Sequence, residues 1–330
     1  MSVAACKKGP LVGEDHAMPG KRKVPSCFKH QGIPIPKIIP PQSIESATKY
    51  RPSHEDVFIV TYPKCGTTWI RYIIYLIQHQ GVPPTSPKQF FEHSSFIDLL
   101  GVNCVDKLKR PGAFVTHLPF CLVPYCPYSK YVVVIKNPRD VIVTLHYQWH
   151  AYLEYDYRGT FKESLRCFLN GDGDYGDYFE FCKRWYERRD DDNVLFIVYE
   201  DLKRCPEREV IRVATFLDEK YRDSLLSCNG EILQKIVKFG TEEHAKNATL
   251  YNDFVHAELE SVPVKGLRAL TSTLKKKKLF NKVNNARRYV EGDWKDHSSE
   301  LHIQMLNERL RTEFGKRQLS KWWPEEDFMS

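Results

Sequence analysis

A short loop around residue 64 combines the residue types that can hold a phosphate group. Lys64 supplies a positive charge, Gly66 lets the backbone turn, and Thr67 and Thr68 supply hydroxyl groups. The continuous apolar run at residues 57–60 predicts a buried strand, and the chain after Thr67 lacks Gly and Pro and predicts a helix. The first N–H groups of a helix have no intrahelical acceptor, and the helix dipole there favours an anion. This stretch therefore predicts a phosphate-binding loop between a strand and a helix.

The loop differs in spacing from the Walker A loop of nucleoside triphosphatases. Walker A requires GxxxxGK[ST], whereas Lys64 here precedes Gly66. A turn with free N–H donors, one cation and two hydroxyls nevertheless suits a 5′-phosphate and the charge of a group in transfer. On these residues alone, an ordinary capped helix start remains the alternative.

Composition and charge exclude several classes of protein. The chain has 330 residues, 42% of them hydrophobic, which is enough for a sizeable core. Its net charge of +7 suits small anionic ligands but is too small over this length to indicate nucleic-acid binding. We find no signal peptide and no apolar run of about 18 residues, so neither secretion nor a membrane partner is predicted. The ten scattered cysteines favour a reduced, cytoplasmic protein and lack the spacing of a metal site.

Strands that alternate with helices indicate an α/β fold, with a central parallel sheet flanked by helices in a single domain. Asn137 and Pro138 fit the N-cap and the first turn of one of these helices. The predicted strands cover residues 57–60, 113–119, 130–135 and 194–199. Two helices are predicted over residues 175–189 and 300–314, and three more are predicted to begin near Thr67, Pro138 and Cys205.

Three stretches are predicted to be irregular. Residues 1–44 read as a flexible, Pro-rich N-terminal extension and arm, which leaves residues 45–330 as the domain. Residues 81–112 mix prolines with apolar residues and are predicted to be a loop region that either lines a substrate pocket or covers the core. Residues 249–285 are predicted to be a mobile connection, and the lysines at 275–278 within it a solvated loop.

Several motifs together resemble those of cytosolic sulfotransferases. Residues 61–69, Thr-Tyr-Pro-Lys-Cys-Gly-Thr-Thr-Trp, are similar to the TYPKSGTTW signature of that family. The resemblance covers roughly residues 45–323 and suits a divergent, arthropod-like member with a P-loop-like phosphosulfate-binding loop. It implies transfer of a sulfuryl group from 3′-phosphoadenosine 5′-phosphosulfate (PAPS), without metal, to a hydroxyl or amine of a small acceptor. The similarity continues through residues 116–119, 136–144, 198–201 and 292–295.

The resemblance also implies roles for individual residues. Lys64 would contact the 5′-phosphate and the bridging oxygen, and His117 would be the general base, for which an imidazole has a suitable pKa. Trp69 would stack on adenine, with Tyr199 close by. The remaining implied ligands of the donor nucleotide are Cys65, Gly66, Thr67 and Thr68 at the 5′ group, and Lys136, Thr144, Arg287, Arg288 and Tyr289 at the 3′-phosphate.

Four positions depart from the family pattern. Lys136 stands where Arg is usual and is a poorer bidentate partner for phosphate. Val115 stands where a second active-site lysine is usual, which removes a cation and would lower the rate. Tyr289 replaces a glycine, and Cys65 a serine. A nucleotide-binding protein with weak or no catalysis therefore remains an alternative, and a P-loop kinase a weaker one.

The acceptor and the oligomeric state are less well defined by the sequence. We expect a small acceptor with a hydroxyl group, phenolic or amine-bearing. The aromatic residues Phe90, Phe91, Trp149 and Tyr152 could wall its pocket or belong to the core. The dimer motif of the family, K-x3-T-V-x3-E, is matched poorly by Lys295, Ser299, Glu300 and Gln304, so monomer and dimer both remain open.

Overall fold

The computed structural model describes residues 23–241, 294–324 and 328. An antiparallel hairpin of β1 (Cys27–His30) and β2 (Ile33–Pro36) comes first, followed by α1 (Pro41–Thr48). The predicted division between residues 44 and 45 falls within α1, and residues 1–22 lie outside the described part. That division therefore stays a prediction, as does the connection predicted over residues 249–285.

A five-stranded parallel sheet forms the centre of the fold and confirms the predicted class. The strands are β3 (Val57–Thr61), β4 (Ser94–Phe96), β5 (Ala113–Thr116), β6 (Lys130–Ile135) and β7 (Val194–Val198). Their order in the sheet is β4, β5, β3, β6, β7. Ile59 of the central strand β3 lies opposite Val115 of β5 and Val132 of β6.

Helices cover both faces of this sheet, as continuously apolar strands require. The helices are α2 (Thr67–Gln78), α3 (Pro87–His93), α4 (Ile97–Leu100), α5 (Pro138–Ala151), α6 (Phe161–Asn170), α7 (Tyr178–Tyr186), α8 (Tyr199–Arg204), α9 (Pro206–Leu217), α10 (Glu219–Leu226), α11 (Glu231–Phe239), α12 (Trp294–His297) and α13 (Glu300–Trp322). Alternate side chains of β3 pack on opposite faces of the sheet. Phe58 and Val60 pack in one hydrophobic cluster with residues of α5 to α7, and Ile59 packs in the other with residues of α2 and α9.

Local sequence explains where the helices next to the site begin. Helix α2 starts directly after Gly66, as predicted. Helix α5 also starts as predicted, because the Asn137 side chain accepts a hydrogen bond from the Arg139 N–H and Pro138 occupies the first turn.

Three predictions of local structure were wrong. Residues 81–112 are not a loop throughout: the Ser86 hydroxyl caps α3, and β4 then adds an edge strand to β5. Helix α7 begins at Tyr178, not at Tyr175, because the Asp177 carboxylate caps it. Helix α13 continues past residue 314 to Trp322, with a break in helical geometry at Gly315.

None of the described helices combines the length and the apolar content needed to cross a membrane.

Candidate active site

The carboxyl ends of the parallel strands bring the predicted site residues to one edge of the sheet. Lys64 follows β3, His117 follows β5, Lys136 follows β6 and Tyr199 follows β7. After β3 the chain continues to β4 and β5 on one side of β3, and after β6 it continues to β7 on the other side, so the order of strands reverses between β3 and β6. Ligands of open α/β sheets bind in the crevice at such a switch point. The topology therefore places a ligand site between the Lys64 and Lys136 turns.

The turn after β3 has a backbone conformation that few residue types adopt easily. Lys64 has φ of 70°, which is uncommon for a residue with a side chain, and Gly66 has φ of 85°. A Cβ atom at Gly66 would overlap the ring of Tyr199. The turn thus needs glycine at residue 66 for two reasons, and it holds Lys64 in a strained conformation of the kind that clusters at functional sites.

The start of α2 offers the anion-binding donors that the sequence predicted. Gly66 is its N-cap and has no side chain that could cap the helix. The N–H groups of Trp69 and Ile70 bond to the Gly66 carbonyl, at 3.0 and 3.1 Å. The N–H groups of Thr67 and Thr68 precede these bonds and have no intrahelical acceptor, so they suit a phosphate.

Cys65 takes part in the turn differently from its neighbours. Its N–H donates to the Tyr62 carbonyl at 3.1 Å, and its thiol is fully buried. Burial raises the pKa of this thiol well above its usual range. Its N–H and its thiol are therefore both engaged inside the protein, which leaves the phosphate contacts of the turn to the other residues.

His117 is held in one tautomer by its neighbours. Its Nδ1 lies 2.7 Å from the Thr61 carbonyl oxygen, which can only accept, so Nδ1 carries the proton. The backbone N–H of His117 donates to Asp98 Oδ2 at 2.8 Å, and the Thr116 hydroxyl donates to Asp98 Oδ1 at 2.6 Å. Nε2 therefore carries the lone pair that a general base requires.

The charge state of His117 follows from its surroundings. Burial lowers its pKa to about 4, and the positive charges of Lys64 and Arg71 lower it further, whereas the hydrogen bond to the Thr61 carbonyl acts in the opposite direction. The imidazole is therefore neutral near pH 7. Burial raises the pKa of Asp98 to about 7, although hydrogen bonds from the Thr116 hydroxyl, the His117 N–H and the Tyr175 hydroxyl act in the opposite direction.

Lys136, Trp69 and Tyr199 form a group on the other side of the turn. Lys136 Nζ lies 4.4 Å from the centroid of the Tyr199 ring, and the Trp69 ring meets the same ring edge-on at 5.2 Å. The Trp69 indole N–H donates to the Gly240 carbonyl. All three side chains are at least nine-tenths buried, which fixes their positions relative to Gly66.

The predicted 3′-phosphate ligands are only partly described. The Thr144 hydroxyl donates to the Asp140 carbonyl at 2.8 Å within α5, so its proton is already used. Arg287, Arg288 and Tyr289 lie outside the described residues, and their roles stay predictions.

Sequence reasoning missed Asp98, Phe96 and Tyr175, which surround His117. The rings of Phe96 and Tyr175 meet the imidazole edge-on, at 5.0 and 5.3 Å between centroids. Tyr175 has φ of 60°, and its buried hydroxyl interacts with the Asp98 carboxyl. The glycines at 171, 173 and 176 around it could have indicated a tight turn instead of a helix.

Two of the aromatic residues with an open assignment belong to the core. Phe90 is 1% exposed and packs against Tyr72 and Tyr75. Trp149 is equally buried, and its indole N–H donates to Asp174 at 3.2 Å. The structure thus favours the core assignment for both, while Phe91 and Tyr152 are partly buried at the margins of the core.

The position of the missing lysine is apolar in this chain. Val115 is 1% exposed and packs in the cluster under α2, together with Ile59. Arg71 of α2, a cation on that face, bonds to the hydroxyl and the carbonyl of Ser94 at 2.9 and 2.7 Å. In the described residues we find no group of three or more His, Cys, Asp and Glu side chains arranged to hold a metal ion.

Comparisons with known proteins give a consistent picture. A family model described as the sulfotransferase domain matches residues 54–319. Sulfotransferase 1C2 of Rattus norvegicus is 27% identical over 82% of this chain and 87% of its own length, and sulfotransferase 1E1 of Homo sapiens is 28% identical over 74% and 78%. Mouse sulfotransferase SULT7A1, solved in complex with PAP, superposes with a TM-score of 0.66 at 20% identity over 91% of this chain and 98% of its own. At that identity the superposition shows a common fold.

Proposed function

Because the chain belongs to the sulfotransferase domain family, and therefore takes its sulfuryl group from PAPS, we propose that Lys64 and His117 carry the transfer to a small acceptor. The observation that supports this most strongly is the tautomer of His117. Its Nδ1 proton is held by the Thr61 carbonyl at the end of β3, immediately before the phosphate turn. The Nε2 lone pair thus belongs to a ring fixed against the turn that would hold the donor.

The reaction needs one base and one stabilising cation. PAPS supplies a sulfuryl group bonded to a 5′-phosphate oxygen. His117 Nε2 takes the proton of the acceptor hydroxyl as the new oxygen–sulfur bond forms and the bond from sulfur to the 5′-phosphate oxygen breaks. Lys64 stabilises the negative charge that the 5′-phosphate gains. Since this transfer resembles phosphoryl transfer, positioning and charge stabilisation supply most of the catalysis.

Binding of the donor is assigned to the two turns at the switch point. The N–H groups of Thr67 and Thr68 and the Lys64 ammonium would hold the 5′ end. Lys136 would contact the 3′-phosphate, together with Thr144, Arg287, Arg288 and the Tyr289 N–H. Trp69 and Tyr199 would bound the adenine. The uncapped start of α2 and the positive charge of Lys136 support this assignment.

For the acceptor, we propose a small phenolic or amine-bearing molecule with a hydroxyl group. The edge-on rings of Phe96 and Tyr175 beside His117 support an aromatic acceptor, because aromatic groups pack well against such edges.

We further propose a cytoplasmic protein, either monomeric or dimeric. The eight cysteines whose side chains are described are all free thiols, which suits a reducing compartment.

Val115 favours a second candidate function, a PAPS-binding protein with weak catalysis. Its apolar, buried side chain offers no second cation to the transferring group. A kinase is disfavoured by the lack of a Walker A loop. Transfer of radiolabelled sulfate in excess chelator, without ATP turnover, separates a sulfotransferase from a kinase. PAP binding without transfer to any acceptor would favour the second candidate.

The substitution His117→Ala tests the proposal with a panel of phenols, aliphatic alcohols and arylalkylamines. We expect kcat/KM to fall by about 10²–10⁴-fold, the usual contribution of a general base, while the Kd for PAP changes little. His150→Ala is the matched control, since this histidine of α5 is exposed and its described hydrogen bond stays within its own helix, at the His146 carbonyl. An unimpaired rate for His117→Ala would contradict the role of His117.

A further inference from the structure

The guanidinium of Arg139 is buried between two aromatic side chains from distant parts of the chain. Its Cζ lies 4.4 Å from the ring centroid of Trp294 and 4.4 Å from that of Phe328. Arg139 is only 2% exposed, and its Nη2 donates to the buried Asn307 at 2.7 Å. A cation–π contact strengthens when the cation is removed from water, so both rings stabilise the first turn of α5.

Phe328 is itself held from two sides. Arg311 of α13 donates to the Phe328 carbonyl at 3.0 Å, and the ring packs against Trp323 at 5.8 Å between centroids. Trp323 and Phe328 are at least nine-tenths buried. Trp323 and Phe328 are thus as deeply buried as the side chains of the core.

Trp323 is also connected to the first turn of α5, through hydrogen bonds of Glu200. Its indole N–H donates to Glu200 Oε2 at 2.8 Å, and Glu200 Oε1 accepts the backbone N–H of Asn137 at 2.9 Å. Asn137 is the N-cap of α5 and directly follows Lys136. The two residues of this turn that are contacted, Asn137 and Arg139, therefore lie within three positions of the proposed 3′-phosphate ligand Lys136.

Trp323 and Phe328 also lie beyond the part of the chain that the family model matches, which ends at residue 319. The family match therefore does not extend to these two residues.

We propose that Trp294, Trp323 and Phe328, here called the aromatic clamp, position the turn between β6 and α5 for binding of the donor nucleotide. They are positioning residues, because they contact Arg139 and Glu200 and act on the nucleotide through these side chains and through Lys136. This inference rests on the proposed function and adds that donor affinity depends on the segment after α13.

Phe328→Ala tests the clamp. We expect the Kd for PAP and the KM for PAPS to rise about tenfold, equal to about 1.4 kcal/mol, with kcat little changed. Phe328→Tyr keeps the ring and should bind PAP as the unsubstituted chain does. Phe314→Ala is the matched control, because Phe314 packs against Trp322 and Phe179 in the same aromatic cluster, whereas the rings that contact the Arg139 guanidinium in the described residues are those of Trp294 and Phe328.

Amide hydrogen exchange in the nucleotide-free protein gives a second measurement. Phe328→Ala should speed the exchange of residues 137–144, and Phe314→Ala should not. Unchanged PAP affinity in Phe328→Ala, or equal changes in the two variants, would overturn the clamp while leaving the proposed function standing. Should the unsubstituted chain fail to bind PAP, the proposed function falls, and the exchange data alone then decide whether the clamp orders the turn.

Discussion

At the scale of single residues, the surroundings of His117 and Asp98 reverse the usual order of their proton affinities. Burial lowers the pKa of His117 to about 4 and raises that of Asp98 to about 7, so the carboxyl group keeps a proton at a pH where the imidazole has lost one. Environments that separate two pKa values in this way often mark an acid–base site. Here the separation keeps the imidazole free to accept a proton near neutral pH, and activity should decline only as the pH falls towards about 4.

The effect of Lys64 on His117 can be measured directly. Removal of a positive charge favours protonation, so Lys64→Met should raise the pKa of His117. The value should remain below the ordinary value of about 6.5, because burial is the larger cause of the shift. NMR titration of the imidazole protons checks this. Lys183→Met, which removes a surface partner of Glu313, is the control; an equal effect there, or none from Lys64→Met, would contradict the assigned influence.

Gly66→Ala should disrupt the phosphate turn for two separable reasons. The positive φ costs a residue with a side chain about 1–2 kcal/mol, and the added Cβ overlaps the Tyr199 ring. We expect at least that loss in the free energy of unfolding, together with weaker PAP binding. Urea unfolding of Gly66→Ala, Tyr199→Leu and the double variant measures the coupling. The double variant should lose less than the sum of the single losses, and strict additivity would argue against the overlap.

The sequence predicts Lys64 and Gly66 because they belong to a local turn with a clear chemical reason, whereas the role predicted for His117 comes from the family resemblance. It does not predict Asp98 or Tyr175. Asp98 comes from a Pro-rich stretch in which no period reveals the short helix α4, and its partners at β5 follow only from tertiary pairing. Tyr175 reaches His117 through a positive φ that residue type alone would not indicate.

At the scale of elements, strand β5 carries His117 at its end and presents Val115 to the layer beneath α2. In a parallel strand buried on both faces, every side chain faces a packed layer. A cation at residue 115 would therefore enter the cluster of Ile59, and the nearby positive charge of Arg71 would oppose it.

Val115→Lys should consequently lower stability without raising turnover. Burial of an unpaired ammonium among apolar side chains costs several kcal/mol, and we expect a loss of about 2–4 kcal/mol in the free energy of unfolding. Urea unfolding and kcat with PAPS check the two parts. Val115→Met, a longer but uncharged side chain, separates the cost of size from that of charge. A rise in kcat would instead show that the lysine reaches the transferring group and that its loss limits this chain.

The elements themselves differ in how far the sequence predicts them. Helices α2 and α5 begin where Gly66 and Asn137 are placed, because their start signals are local. The continuation of α13 to Trp322 was not predictable from its period, because Gly315 interrupts the pattern and the second half is held by packing of Trp322 against Tyr186 and Phe196.

At the scale of the whole molecule, three buried carboxyl groups near the sheet edge share one property. Burial raises the pKa of Asp98 to about 7, of Asp174 to about 6 and of Glu200 to about 7. Each accepts hydrogen bonds from neutral donors, such as Trp149, Tyr155 and Gln148 at Asp174. The end of the sheet that carries the proposed nucleotide ligands thus also holds acids that resist ionisation.

These groups give stability a definite dependence on pH. A carboxyl whose pKa is raised on folding binds more protons in the folded state, so its contribution is present at low pH and is lost as the pH rises through the folded pKa. His117 acts oppositely, but only between about 4 and 6.5, since its folded pKa is lowered. The pKa values of His79 and His302 are also lowered, and that of Asp177 is raised. With four such carboxyls against three histidines below pH about 6.5, and carboxyls alone above it, the free energy of unfolding should fall from about pH 5 to about pH 8.

Urea unfolding across this range measures the slope, and Asp98→Asn provides the comparison. Its amide can accept from the His117 N–H and donate to the Thr116 hydroxyl, whose proton can turn towards another acceptor. The free energy of unfolding of this variant should depend less steeply on pH than that of the unsubstituted protein, by less than about 1.4 kcal/mol per pH unit. The reason is that the folded and unfolded states of the variant no longer differ in the proton bound at residue 98. A free energy of unfolding that rises from about pH 5 to about pH 8 would mean that these carboxyls are ionised in the folded protein, and that ion pairs, not burial, set their charge.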